Sequence, residues 1–300
     1  MSIAIVTGAT GFLGSHLLRR LLREGWEVVA LKRSNSQIPQ GIDANAKLRW
    51  FDADQSSGIK DAFDATPTVD AVFHLAASYA RNDEPPSKTA QTNFLFPLRV
   101  LEIALQREVK LFVSTDSCFT LDYPYLLAYT LSKKQFTEWG RILSSKSSMR
   151  FVNLELQHPF GPGDQPWKFV PWIIQQCNKD HLSIALTSGE QRKDFIYVDD
   201  VIDAYFAIVS HENSLATGFH HFECGRGEAF ALRKFVEIVH RACKSNCTLD
   251  FGALPYRDNE IMYSAADTTR LRELGWALKW SLEDGIANTI SEHLKAIRHN

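Results

Sequence analysis

No run of about 18 apolar residues occurs in the 300-residue chain, so no segment reads as a membrane-spanning helix. A basic, apolar leader is missing as well, because the N-terminus reads as a strand; the cytoplasm is the expected compartment, with no membrane contact. Cysteine is scarce. The five residues (118, 177, 224, 243 and 247) are odd in number and form no Cys-x-x-Cys pair, which points to reduced thiols. His240, Cys243 and Cys247 share a helical face and could ligate a metal, but small apolar cysteines on a buried face explain them equally well, and no metal is expected. Charge of one sign is lacking too: 33 basic against 35 acidic residues leave a net charge of −2, so no overall attraction to nucleic acid or an anionic surface follows. There is no repeat, low-complexity tract or linker. What is present, 45% hydrophobic and 23% charged residues, is enough to bury the core of one large domain or two modest ones.

The most informative stretch is Ile3 to Gly14. A short apolar run, Ile3-Ala4-Ile5-Val6, gives way to Gly8, Gly11 and Gly14, after which Leu13, Leu17, Leu18, Leu21 and Leu22 fall at helical spacing. Strand, glycine turn and helix in this order let backbone N–H groups and the positive end of a helix meet a pyrophosphate. Gly25 stops the helix, and Trp26 to Leu31 reads as the second strand. Lys32-Arg33-Ser34 follows it. In dinucleotide folds a carboxylate at this point meets the 2′-hydroxyl of NAD, whereas a basic group accommodates a 2′-phosphate. Arg33 with Ser34, and Lys32 beside them, therefore favours NADP(H), with NAD(H) possible; a solvated basic loop is the other reading.

Leu48 to Phe51 reads as a third strand ending in Asp52-Ala53-Asp54, where Asp54 either accepts from an adenine amino group or is a turn aspartate. Ala71 to Ser78 reads as a buried strand running into small residues, with His74 packed rather than catalytic. Ser87 to Gln106 reads as one long helix, and Lys110 to Ser114 as the next strand. Alternation of strands and helices predicts a parallel sheet covered on both faces, with chemistry at the strand ends.

Directly after that strand stand Ser114-Thr115-Asp116-Ser117, and beyond them Tyr129 and Lys133, four apart and so on one helical face. An ammonium beside a phenol pulls its pKa from about 10 toward neutrality, which makes tyrosine a usable acid or base. A hydroxyl such as Thr115 can then hold a substrate oxygen.

Thr7-Gly8-Ala9-Thr10-Gly11-Phe12-Leu13-Gly14, His74-Leu75-Ala76-Ala77, Asn93, Thr115 and Tyr129-x-x-x-Lys133 together resemble the extended short-chain dehydrogenase/reductases of the epimerase/dehydratase family, which act on nucleotide sugars. The resemblance covers almost the whole chain. It implies an α/β fold: a doubly wound Rossmann sheet with a smaller C-terminal α/β substrate domain. Residues 1–157, receiving 194–221, would hold the cofactor, and 158–300 would mainly hold the nucleotide sugar. It implies Tyr129 as proton donor or acceptor, Lys133 on the nicotinamide ribose and Thr115 on the reacting oxygen. Cofactor contacts are expected from Gly8, Thr10, Gly11, Phe12, Leu13, Gly14, Arg33, Ser34, Asp54, Leu75, Ala76, Ala77, Asn93, Tyr129 and Lys133. Substrate contacts are expected from Ser78, Asp116, Ser117, His158, Lys168, Lys193 and Arg257. Pairing of two subunits through the helices carrying Asn93 and Tyr129 is also implied.

Sugar 4,6-dehydratases of the family carry Asp-Glu after the catalytic threonine, and here the pair is Asp116-Ser117, which argues against dehydration. Arg33 points to a cofactor that arrives reduced and leaves oxidised. The Thr-Asp-Ser-Cys-Phe and Tyr-x-Leu-Ser-Lys-Lys-Gln-Phe patterns also look like the CDP-abequose and CDP-paratose synthase group of 4-ketoreductases in surface polysaccharide (O-antigen) synthesis. Reduction of a CDP- or dTDP-linked 4-keto-deoxyhexose is therefore the leading expectation. An NAD(P)-dependent epimerase and a non-catalytic NADP-binding sensor are the alternatives.

Overall fold

A computed structural model describes residues 2–39, 41–42, 45–81, 83–179 and 182–298. The chain opens with β1 (Ile3–Thr7), α1 (Phe12–Arg23), β2 (Glu27–Lys32), β3 (Leu48–Asp52), α2 (Gly58–Asp64) and β4 (Ala71–His74). Then come α3 (Pro86–Ala90), a π-helical turn (Gln91–Leu95), α4 (Phe96–Gln106), β5 (Leu111–Ser117), α5 (Leu127–Ser144) and β6 (Arg150–Leu156). The remainder comprises β7 (His158–Phe160), α6 (Phe169–Cys177), β8 (Ser183–Leu186), β9 (Arg192–Lys193), β10 (Phe195–Tyr197), α7 (Val198–Ser210) and β11 (Gly218–Cys224). It closes with β12 (Phe230–Ala231), α8 (Leu232–Ala242), β13 (Thr248–Phe251), β14 (Tyr263–Ser264), α9 (Thr269–Glu273) and α10 (Leu282–Arg298).

Two compact units result. The first contains residues 1–121, 126–155 and 204–222; the second contains 122–125, 156–203 and 223–300. The first is built on a seven-stranded sheet in the order β11-β6-β5-β4-β1-β2-β3, and its β3-β2-β1-β4-β5 run is parallel. The central strands are apolar on both faces because helices cover both sides. Ile5, Val29, Val72 and Phe112 are fully buried, with Val100 and Leu101 of α4 and Phe136 of α5 packed in the same core. Strand order reverses at the β1–β4 junction, the place where such sheets take ligands. The chain reaches that junction through Gly8, whose φ of +68° suits glycine and whose added Cβ would lie 2.5 Å from the Ala76 nitrogen.

Two elements differ from the sequence reading. β4 ends at His74, so Leu75 to Ser78 form a loop rather than more strand. The expected helix over 87–106 is three pieces, since the π turn interrupts it.

The second unit contains three small sheets, pairing β7 with β10, β8 with β13, and β12-β9-β14. Its core stacks Phe195 on Phe235, ring centroids 4.0 Å apart, with Phe160 and Tyr197 beside them. Asp194, fully buried, accepts from the N–H groups of Arg226, Gly227 and Ala266, a carboxylate satisfied by backbone alone. Ser281 caps α10: its hydroxyl donates to the Asp284 carboxylate at 2.6 Å and accepts from the Asp284 N–H at 3.0 Å. Among the described residues no helix is long and apolar enough to cross a membrane, no cluster could hold a metal ion, and the five cysteines are free thiols.

Candidate active site

The glycine turn forms one wall of the candidate site. The Gly11 N–H donates to the Gly8 carbonyl at 2.9 Å, and α1 then starts with no capping side chain and no acidic residue in its first turn. The backbone N–H groups of the first turn, from Phe12 to Gly14, thus form the positive end of a 12-residue helix. A Cβ on Gly14 would lie 2.0 Å from the Gly8 carbonyl oxygen, so this glycine is fixed by internal packing. A Cβ on Gly11 would meet only that oxygen, at 3.2 Å. The space outside Gly11 is therefore open, as backbone approach by a phosphate requires, and the turn including Thr10 fits a dinucleotide.

Thr7 ties this turn to the loop after β4. Its hydroxyl accepts from the Ala76 N–H at 3.3 Å and is hydrogen-bonded to His74 Nδ1 at 2.7 Å. Burial, aided by the charge of Lys133, holds the His74 imidazole well below its usual pKa, so it stays neutral. The packed role read for His74 stands, and Leu75-Ala76-Ala77 follow beside the turn.

At the end of β2 the expected residues bind one another. Ser34 donates through both its N–H and its hydroxyl to Asp54, at 2.9 and 2.8 Å, and these bonds hold the Asp54 carboxyl below the usual range. Lys32 is paired with Asp52 at 2.6 Å. Arg33 is exposed and its guanidinium has no ion pair among the described residues. Of the three groups read as a 2′-phosphate cradle, it alone is uncommitted.

Thr115, Asp116 and Ser117 are the last three residues of β5, all buried, and α5 presents Tyr129 and Lys133. Lys133 Nζ donates to the Thr115 carbonyl at 2.6 Å and stands 5.7 Å from the Tyr129 ring centre. The expectation that Lys133 draws the phenol toward neutrality does not hold in this state. Burial, followed by the neighbouring Tyr79, pushes the Tyr129 phenol well above its ordinary pKa, and Ser117 opposes only in part. Tyr129 therefore keeps its proton. Burial also lowers the Lys133 ammonium, opposed by Asp116.

Thr115 Oγ1 is hydrogen-bonded to the hydroxyl of Tyr205, a fully buried residue of α7. If Tyr205 donates, the Thr115 proton is left to point at a substrate oxygen.

Asp116 was expected to face substrate, and the structure turns its carboxylate inward instead. It accepts from Lys134 at 3.0 Å and Asn153 at 3.1 Å, while Lys134 also reaches Glu155 at 2.9 Å. Burial pushes the Asp116 carboxyl up, but Lys134 and Lys133 outweigh it and hold the group below its usual value. Asn93 also has work inside the unit: its amide bonds the Ser78 N–H and carbonyl, both at 2.7 Å, and the Ser132 hydroxyl at 3.2 Å. The Ser78 hydroxyl is bonded to Glu84.

In the second unit, Lys193 is buried with its ammonium on the Ile261 carbonyl and paired with Glu260 at 3.0 Å, which leaves it no free charge for the expected diphosphate contact. His158 is pushed down to about 3 by burial and by Lys193, and so is neutral. Lys168 pairs with Asp164 at 2.9 Å. Arg257 is exposed, donates to the Tyr123 hydroxyl at 3.2 Å and lies over the Tyr125 ring at 4.0 Å, a fixed cation with remaining donors.

Residues 4–225 match the model of the NAD dependent epimerase/dehydratase family. The chain belongs to that family. The CDP-abequose synthase of Salmonella muenchen is 34% identical over 291 residues, 96% of each chain, and that of Salmonella typhimurium is 32% identical over 94% of this chain and 95% of its own. In fold, the UDP-glucose 4-epimerase of Thermotoga maritima superposes with a TM-score of 0.84 at 21% identity, covering 98% of this chain and 99% of its own.

Two members of this constellation were missed by reasoning from sequence. Tyr205 lies 90 residues from Thr115, and only the fold brings them together. Tyr79 follows the His74-Leu75-Ala76-Ala77 motif that marks the family, and proximity to that motif was the one available signal.

Proposed function

We propose that this family member is an NADPH-dependent reductase of a nucleotide-linked 4-keto-deoxyhexose. The carrying observation is that Lys133 joins two groups at one strand end: its ammonium donates to the Thr115 carbonyl at 2.6 Å and stands 5.7 Å from the ring centre of the buried Tyr129, while the Thr115 hydroxyl is bonded to Tyr205, so that a phenol acid and a hydroxyl donor are at hand for a developing alkoxide. The glycine turn and the α1 N-terminus would hold the pyrophosphate of the dinucleotide, Lys133 its nicotinamide ribose and Arg33 a 2′-phosphate. Once bound, that group supplies reversible hydride transfer at a sugar carbon. Thr115 donates to the carbonyl oxygen, Tyr129 yields its proton to it, and Lys133, fixed on the Thr115 carbonyl, supports the charge left on the phenol. No carboxylate base joins them, because Asp116 is committed to Lys134 and Ser117 takes the place of a glutamate. In the second unit Arg257 is the diphosphate residue this reading favours. The relatives named CDP-abequose synthase make a CDP-linked sugar the first donor to try.

A nucleotide-sugar epimerase is the second reading, and the Ser34–Asp54 pair favours it, since it brings the carboxylate of Asp54, beyond β3, beside the end of β2, where a carboxylate suits a ribose hydroxyl better than a phosphate. Following NADPH and NADH oxidation with CDP- and dTDP-4-keto sugars separates the two. Stoichiometric oxidation, faster with NADPH, supports the reductase; an altered sugar without net oxidation moves the assignment to the epimerase.

The reading includes a dimer. Leu127, Leu131, Trp139 and Ile142 of α5, with Leu95 of the π turn, are all more than two-fifths exposed, and Leu131, Trp139 and Ile142 line, with Phe94, a largely apolar groove suited to the same groove on a second copy.

A further inference from the structure

We infer that Tyr79 is a positioning residue for the Tyr129 phenol, held over it by a clamp that starts in the π-helical turn. The Tyr79 and Tyr129 rings lie face to face, centroids 4.9 Å apart and planes 6° from parallel, while Phe119 meets Tyr129 edge-on at 6.4 Å. Tyr79 sits in a loop, where a ring would ordinarily be mobile. Here the loop is pinned on both sides. The Asn93 amide grips the N–H and the carbonyl of Ser78, the residue before Tyr79, and is itself fixed on Ser132, one turn along the helix from Tyr129. The Ser78 hydroxyl meets Glu84, which Thr89 also bonds, and Ala80 adopts a φ of +52°, a left-handed conformation uncommon for alanine. An unfavourable backbone angle two residues past a doubly clamped serine persists when the surroundings over-determine it. What they determine is the placement of the Tyr79 ring.

The consequence is chemical. One face of Tyr129 is covered by a flat ring that solvates a phenolate poorly, so the proton stays until substrate draws it off. Other groups act on the same phenol: Lys133 from its own helix, Asp116 and Ser117 from β5, and Cys118 beyond it. Tyr79 is the one among them that stacks on the ring and belongs to a separately clamped loop. Its action rests on the role proposed for Tyr129, but the stacking can be tested without turnover.

The test labels tyrosine Cζ with carbon-13, assigns Tyr129 by its loss in Tyr129→Phe, and titrates its resonance in the wild type, Tyr79→Phe and Tyr79→Leu. In the wild type the phenol is expected to hold its proton past about pH 10; Tyr79→Phe removes only the charge of the Tyr79 hydroxyl and should lower the midpoint slightly, whereas in Tyr79→Leu it should fall by about one pH unit as water reaches the ring. Asn93→Ser cuts the clamp with Tyr79 still present and should move the midpoint in the same direction. Unchanged midpoints in both variants overturn the inference, as does a shift in Tyr79→Phe equal to that in Tyr79→Leu. Absence of turnover on any keto sugar, with these midpoints moving as stated, would instead remove the reductase reading and leave Tyr79 in its role.

Discussion

Lys134 neutralises two carboxylates at once, and replacing it by methionine shows what that arrangement is worth. Asp116 is 2% exposed at its side chain and Glu155 18%, with Lys134 at 3.0 and 2.9 Å. Methionine fills much of the volume and removes the charge, which leaves both carboxylates in a partly dry site with Lys133 as the remaining cation near Asp116. Breaking a buried pair costs about 3–5 kcal/mol, and the one-third exposure of Lys134 argues for the lower figure. For a chain of this length about 3 kcal/mol corresponds to roughly 5 °C in Tm at pH 7.5. The pH dependence is the sharper readout. Without Lys134 the folded-state pKa values of Asp116 and Glu155 rise above their unfolded values of about 3.9 and 4.3. A group raised on folding costs stability above its folded pKa and returns it below, so the deficit should shrink between pH 7.5 and 5. Thermal melts of the wild type, Lys134→Met and Asp116→Asn/Lys134→Met at three pH values measure this, with the double variant expected to recover part of the loss. A deficit of the same size at every pH would refute the reasoning.

Gly11→Ala should fold normally, because its Cβ meets a single atom, and should lose most of the Tm increase that NAD(P)H gives the wild type; Gly14→Ala, with its Cβ 2.0 Å from the Gly8 carbonyl, should fail to fold stably. Tyr205→Phe removes the partner of the Thr115 hydroxyl at a cost of about 1 kcal/mol, read as a kcat roughly fivefold lower with KM little changed in steady-state assays. Ile142→Glu, placed on the apolar face of α5 where the side chain is 48% exposed, should convert a dimer to a monomer in light scattering while leaving the melt nearly unchanged.

Local chemistry was legible in the sequence and distant pairing was not. The glycine turn, the parallel sheet and the placing of Tyr129 and Lys133 on one helix follow from spacing over a few residues and are found as read, whereas β2 runs to β3 without a helix and the helix over 87–106 is interrupted. The commitments of the charged groups follow from contacts across the sheet, which no short window contains. Lys133 was read as the partner of the phenol, yet its ammonium finds the Thr115 carbonyl 18 residues away, and burial decides the Tyr129 proton. Ser34 and Asp54, read as separate cofactor ligands 20 residues apart, meet because β2 and β3 are adjacent and parallel. Asp116 is turned inward because alternate residues of a strand face opposite sides, so with Thr115 on the reacting side its neighbour looks into the core.

The π turn at Gln91–Leu95 changes the phase of a helix. One residue beyond the regular repeat rotates everything before it by about 100° relative to everything after. The three helical pieces thereby keep two bearings: α4 aims Val100 and Leu101 at the sheet, while Asn93 is turned toward the loop that carries Tyr79. Deleting one residue there would restore a regular helix and take the two bearings out of register, leaving the core side correct and the clamp aimed past its target.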